Sequence, residues 1–324
     1  MQFSKPTIGI AAALTTVVIW TAFIVIARAM AHKTLTPFDI AFVRMIGAGM
    51  VMLPWGWWWV RRARARGELA DSWFGLSPYS WRITALIGTL AAVLYATLAY
   101  SGFRYAPAAH ASVLMPGMLP LWTTLIALVV IGTPITVKRW IGLCLIVGGG
   151  LLVGGASLFS AFVDIGDGEV WKGDLLFLAA SFSWSTYTVI ARKHALAAIP
   201  ATIAVCVFAM FTFVPIYALL AFLGFITSHL RDAPWSEILF QAMVQGIGSV
   251  VISGITFVRM VETFGPIRST MITAVVPGLS ALAAVFFLDE PLYWNLLLGL
   301  ALVTVGIVFG VKPATVTSAQ HPAR

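Results

Sequence analysis

Ten stretches of about 20 or more mainly apolar residues follow one another along this chain, near 7–30, 37–59, 82–104, 107–131, 136–156, 173–192, 200–226, 237–261, 265–288 and 291–311. Few architectures can use such a pattern. A helix of about 20 residues crosses the roughly 30 Å hydrocarbon core of a bilayer, and only helices and closed barrels satisfy their own backbone polar groups there. Barrel strands need about 10 residues of alternating polarity, which these continuous runs lack. The sequence therefore predicts an all-α, polytopic membrane protein with ten transmembrane helices. The breaks carry turn chemistry (HKTLTP, RYAP, GTP, FGP, DEP, and the longer DIGDGE and RDAP). Such short loops make neighbouring spans antiparallel.

Of 324 residues, 60% are apolar and 10% charged, whereas a soluble domain is about half apolar and a quarter charged. The partner of the outer surface is the lipid bilayer. The net charge of +8 reads as orientation in that bilayer, with no nucleic acid partner, because no basic groove interleaved with aromatic residues occurs. Of the 20 basic residues, fourteen fall on the side of the termini, five on the other side and Arg44 within a span. By the positive-inside rule this predicts cytoplasmic N- and C-termini in the inner (plasma) membrane. WGWWWVRRARAR, at 55–66, fits the same orientation, with tryptophans at the headgroups and arginines beyond. The first run is about twice a signal-peptide core and has no small-residue cleavage site, so it reads as the first span. Cys144 and Cys206 lie inside apolar runs and form neither a disulfide framework nor a metal pair. No GxSxG, HExxH or Walker loop occurs. The chain reads as neither an enzyme nor an ATP-driven pump, and as needing no cofactor.

WTAFIVIAR at 20–28 returns as WSTYTVIAR at 184–192, an offset of 164. At an offset of 157, Pro120 falls on Pro277, Pro134 on Pro291, Gly142 on Gly299 and Gly149 on Gly306. The chain is a tandem duplication of five spans, with halves at 1–160 and 161–324. Five is odd, so the second copy enters the membrane from the opposite face. Inverted repeats of this kind surround a central midplane site in transporters.

The tandem halves, PFDIAFVRMIGAG in span 2, APAAHASVLMPGMLPLW in span 4 and the DEPLYWNLLLGLALVTVGIVFG ending resemble the drug/metabolite transporter superfamily. Within it, the chain is similar to EamA-type exporters, and among those to exporters of aromatic and other neutral amino acids. The resemblance covers about residues 7–311. It implies a ten-helix bundle with a central cavity, working by alternating access without ATP and functioning as a monomer. One feature departs from the pattern: Asp289-Glu290-Pro291 has Gly132-Thr133-Pro134 as its first-half counterpart, without the acid.

Several residues are candidates for the chemistry. Trp20 and Trp184 each lie about 12 Å along a helix from an arginine, too deep for an interfacial belt. Each either reaches a substrate or packs between helices. Ser181 and Tyr187 share the face of Trp184. Gln245 and Ser249, the deepest members of a Gln241/Gln245/Ser249/Ser253 stripe, form either a cavity wall or interhelical hydrogen bonds. Tyr95, Tyr100, Met115 and Trp122 complete the substrate-binding candidates. Pro116 and Pro120 interrupt span 4, Pro120 and Pro277 occupy equivalent positions in the two halves, and these prolines serve as hinges or expose carbonyls. Arg44 needs a partner inside the membrane, Asp39 or a carbonyl, and has a gating or structural role as an alternative to gripping a substrate carboxylate. With no Asp or Glu at mid-span, a relay of buried carboxylates is not expected. The substrate expected from this aromatic lining is a neutral or aromatic amino acid; a drug, a nucleotide sugar, or a membrane enzyme or sensor are the alternatives.

Overall fold

The structure, a computed structural model, describes residues 5–68, 72–132, 134–163, 169–273 and 275–311, with side chains for all of these except 5, 156–163, 198, 261–262, 265–271 and 310–311. Among them no strand occurs. Helices α1 (Lys5–Met30), α2 (Pro37–Ala65), α3 (Trp81–Tyr105), α4 (Ala108–Ile131), α5 (Val137–Val163) and α6 (Val170–Lys193) are followed by α7 (Ile199–Phe222), α8 (Trp235–Met260), α9 (Val276–Leu288) and α10 (Trp294–Val311). Eight are long and apolar enough to cross a bilayer, and α9 and α10 are shorter apolar helices. The side on which α1 begins is termed proximal, and the opposite side distal.

Local chemistry explains most boundaries. Thr36 and Asp39 form a capping box, with Pro37 in the first turn, so α2 starts where two orphan backbone donors are satisfied. Helix α7 is broken at Thr212, where the ring of Pro215 crowds the carbonyl of Phe211. One boundary differs from the sequence expectation. Helix runs unbroken over Ser253–Thr273, across the FGP at 264–266 where a turn is predicted. A Gly-Pro pair without Asn, Asp or Ser to cap it bends a helix more readily than it ends one.

The repeats interlock. Helix α1 packs against α8 and α9 of the second repeat, while α6 packs against α3 and α4 of the first. Helices α5 and α10 lie side by side at glycines. A Cβ at Gly149 would stand 2.6 Å from the Gly299 carbonyl oxygen, and one at Gly306 would stand 2.6 Å from that of Gly142. Each contact pairs a glycine with its neighbour's repeat-mate, the signature of a two-fold relation between the helices. Gly150 and Gly154 face elsewhere, toward Met118 and Asp174. At the proximal end the guanidinium groups of Arg61 and Arg62 lie over the rings of Trp57 and Trp58 at 3.9 and 4.4 Å.

Candidate functional site

Three π-helical segments mark the middle of the bundle: Thr89–Leu94 in α3, Val113–Gly117 in α4 and Ala242–Ile252 in α8. Such segments leave carbonyls poorly paired and are frequent at functional sites. Tyr95 follows the first, Met115 and Pro116 lie in the second, and Gln245 and Ser249 lie in the third. In α4 the cause is visible in the sequence. Proline lacks an N–H, so Pro120 cannot serve the Met115 carbonyl five residues back. Ser181 of α6 serves it instead, its Oγ donating to the Met115 carbonyl at 2.9 Å. Ser183 donates to the Leu90 carbonyl in the same way, at 2.8 Å. Ser181 is therefore a strut between α6 and α4, with its hydroxyl engaged.

The aromatic candidates form two swapped contacts. Trp20 of α1 stacks on Phe257 of α8, with centroids 5.3 Å apart and planes 23° apart. Trp184 of α6 lies 4.9 Å from Tyr95 of α3 and 5.3 Å from Tyr187. In each repeat the first helix thus carries its tryptophan onto an aromatic ring of the other repeat's third helix. Trp122 meets Phe182 edge-on at 5.4 Å.

Four side chains in this region hold buried polar atoms without a hydrogen-bond partner: both amide ends of Gln241 and of Gln245, the indole N–H of Trp122 and the hydroxyl of Thr21. Each such group costs about 1–3 kcal/mol unless something binds it. Gln241 and Gln245 are fully buried on α8. Ser249 is half-buried, and its carbonyl accepts from Ser253 Oγ at 2.7 Å.

Arg44 does not pair with Asp39. Its Nη1 donates to the Tyr100 hydroxyl at 3.0 Å, and its guanidinium lies over the Phe23 and Tyr100 rings at 5.4 and 5.9 Å. Asp39, fully buried, is occupied elsewhere. It accepts from the backbone and hydroxyl of Thr36, the hydroxyls of Tyr217 and Ser228, and the His229 backbone N–H. Pro277 is buried in the first turn of α9.

The groups α1–α8–α9 and α3–α4–α6 are joined at their distal ends. Arg28 Nη1 donates to the Phe103 carbonyl at 2.6 Å, while Nε pairs with Glu290 at 3.2 Å. Glu290 accepts from the backbone N–H groups of Ala108 and Ala109 at 3.0 and 3.2 Å, capping the start of α4. Nearby, His110 Nδ1 lies 2.8 Å from the fully buried Asp174. The buried carboxylates Asp39 and Asp174 and the partly buried Glu290 thus sit at the distal end, each with partners. The sequence singles out Asp39 only as a candidate partner of Arg44, and Glu290 only as part of the DEP motif; Asp174 carries no such signal. Among the described residues, no cluster of three or more metal-ligating side chains occurs.

The EamA-like transporter family model matches the chain twice, over residues 7–155 and 171–311. No curated protein matches. A crystal structure of a protein 18% identical to this chain shares its fold, with a TM-score of 0.57, over 93% of this chain and 96% of the other. With two family domains spanning most of its length and helices suited to crossing a bilayer, the chain belongs to the EamA-like transporter family.

Proposed function

We propose that this transporter exports small, largely neutral metabolites, with aromatic and other neutral amino acids as substrates. It works as a monomer in the inner membrane with cytoplasmic termini, by alternating access between two inverted repeats with boundaries near 160. The observation that carries this reading is the set of unpaired buried polar atoms on Gln241, Gln245 and Trp122, in a bundle whose middle is lined by Trp20, Tyr95, Trp184 and Tyr187. Amide and indole groups suit a neutral polar ligand, and the rings suit an apolar or aromatic side chain. Arg44, the arginine well inside a span, is already bonded to Tyr100, so a multiply charged phosphate ester would have no cluster of cations at mid-membrane to hold it. The distal bonds of Arg28 and Glu290 support a state closed at that end, and the three π-helical segments and Pro116, Pro120 and Pro277 supply bending points.

Counterflow into proteoliposomes, using radiolabelled amino acids alongside a cationic drug and a nucleotide sugar, tests the substrate class. Exchange of phenylalanine, reduced at least tenfold by Trp184→Ala or Gln245→Ala at equal reconstitution, is the expected result. Exchange only of the drug or the nucleotide sugar, or no effect of either substitution, overturns the reading.

A further inference from the structure

The distal surface holds a cavity of about 590 Å³ between the α1–α2 turn, the end of α3 and the α7–α8 connection. Its volume falls in the usual ligand range of about 300–1,000 Å³. Two cations line it, Lys33 and Arg104, together with the hydroxyl groups of Thr34, Ser101, Tyr105 and Thr227. Among the described residues neither cation has a carboxylate partner, and none of these four hydroxyls makes a side-chain hydrogen bond.

The acids around this corner are each held by other groups, so that none of them pairs with Lys33 or Arg104. Asp39 accepts from Thr36, Tyr217, Ser228 and His229. Glu237 accepts from the Leu35 backbone N–H at 3.1 Å, and Asp232 faces the His229 ring at 3.1 Å. Glu290 holds Arg28. Next door, the ring of His32 has its pKa lowered from 6.5, first by burial and then by Arg28 and Arg104. A concave surface with two cations that have no carboxylate partner, and four hydroxyls without side-chain hydrogen bonds, is arranged to receive an anion.

We infer that this distal cavity binds a single phosphate or carboxylate group, held between Lys33 and Arg104. Lys33 belongs to the turn that leaves α1, and Arg104 follows Phe103, whose carbonyl accepts from Arg28. An anion held by both bridges the same cleft that Arg28 bridges, and so favours the distally closed form. The group can come from a phospholipid headgroup or from a soluble anion.

Thermal unfolding of the purified full-length protein in detergent, at constant ionic strength, tests this. Inorganic phosphate and short-chain phosphatidylglycerol are added separately, with phosphatidylcholine as control. A saturable rise in Tm of about 2–4 °C with phosphate or phosphatidylglycerol is expected. It should be absent from the Lys33→Gln/Arg104→Gln variant and retained in Lys33→Arg/Arg104→Lys, with both variants unfolding like wild type when no anion is added. A rise with phosphate assigns a soluble anion; a rise only with phosphatidylglycerol assigns a lipid headgroup. No rise with either, or the same rise in the glutamine variant, overturns the inference.

Discussion

Arg28 and Arg192 end the same nonapeptide in the two repeats, yet the corners they occupy are built differently. Arg28 is bonded to Glu290, to the Phe103 carbonyl and to His32. Arg192 is exposed, and among the described residues it makes no ion pair. The residue in register with Glu290 is Thr133, which lies outside the described residues. The residues before them, Asp289 and Gly132, both end a helix in the left-handed region, with φ of 53° and 74°. The two helices therefore end in the same backbone conformation, and the sequences there differ by two carboxylates, Asp289 and Glu290. Asp289 does the conformational work that Gly132 does, since Asp tolerates that region better than most residues. Glu290 is the acid that joins the two helix groups. Among the described residues, the corner of Arg28 carries this latch and Arg192 makes no ion pair.

Removing that carboxylate gives the largest effect. Glu290→Ala leaves Arg28 and the start of α4 unpaired and should cost about 2–4 kcal/mol, read as a lowered midpoint of thermal or denaturant unfolding. Arg192→Ala should stay within about 0.5 kcal/mol in the same measurement. Equal losses in the two variants would erase the comparison. Arg28→Lys is next: an ammonium cannot hold Glu290 and the Phe103 carbonyl in the fixed geometry of a guanidinium fork, at a cost of about 1–2 kcal/mol.

Thr133→Glu places an acid at the corresponding position of the first repeat. A proximal latch worth about 1 kcal/mol should slow phenylalanine exchange in proteoliposomes about fivefold, and Arg192→Ala in that background should restore it. An unchanged rate would mean that repeat register carries no latch. The smallest effect concerns His32, whose pKa is lowered mainly by burial and then by Arg28 and Arg104. Because the folded pKa lies below the unfolded one, its contribution to stability is complete above about pH 6.5 and is lost as pH falls through the folded pKa. The Tm of wild type should therefore drop slightly more on acidification than that of His32→Gln.

Much of the fold was legible because membranes narrow the choices. The apolar runs set the helices, and the offsets of 164 and 157 set the repeat. The paired glycines at Gly142, Gly149, Gly299 and Gly306 foretold close packing of α5 on α10. What periodicity could not indicate was which helices touch. The swap that lays Trp20 on Phe257 and Trp184 on Tyr95 depends on packing across the two halves, and a hydropathy pattern is blind to it. The π-helical segments were half-visible, as the Pro116 and Pro120 interruptions and the small residues of Ala242–Ile252. The partner of Arg44 was misjudged for a physical reason: Asp39 lies one turn away on the same helix, but its carboxylate is consumed by the cap and by Tyr217, so a tyrosine from α3 takes its place.

Alternating access by this route requires the distal ends of α1 and α3 to part during transport. Spin labels at Ala29→Cys and Tyr105→Cys, in a Cys144→Ala/Cys206→Ala background reconstituted in lipid, report that separation by pulsed electron resonance. A single short distance without substrate, a second and longer one appearing with phenylalanine, and dominance of the longer one in Glu290→Ala are the predicted results. One distance, unmoved by phenylalanine and by loss of the Glu290 carboxylate, would contradict it.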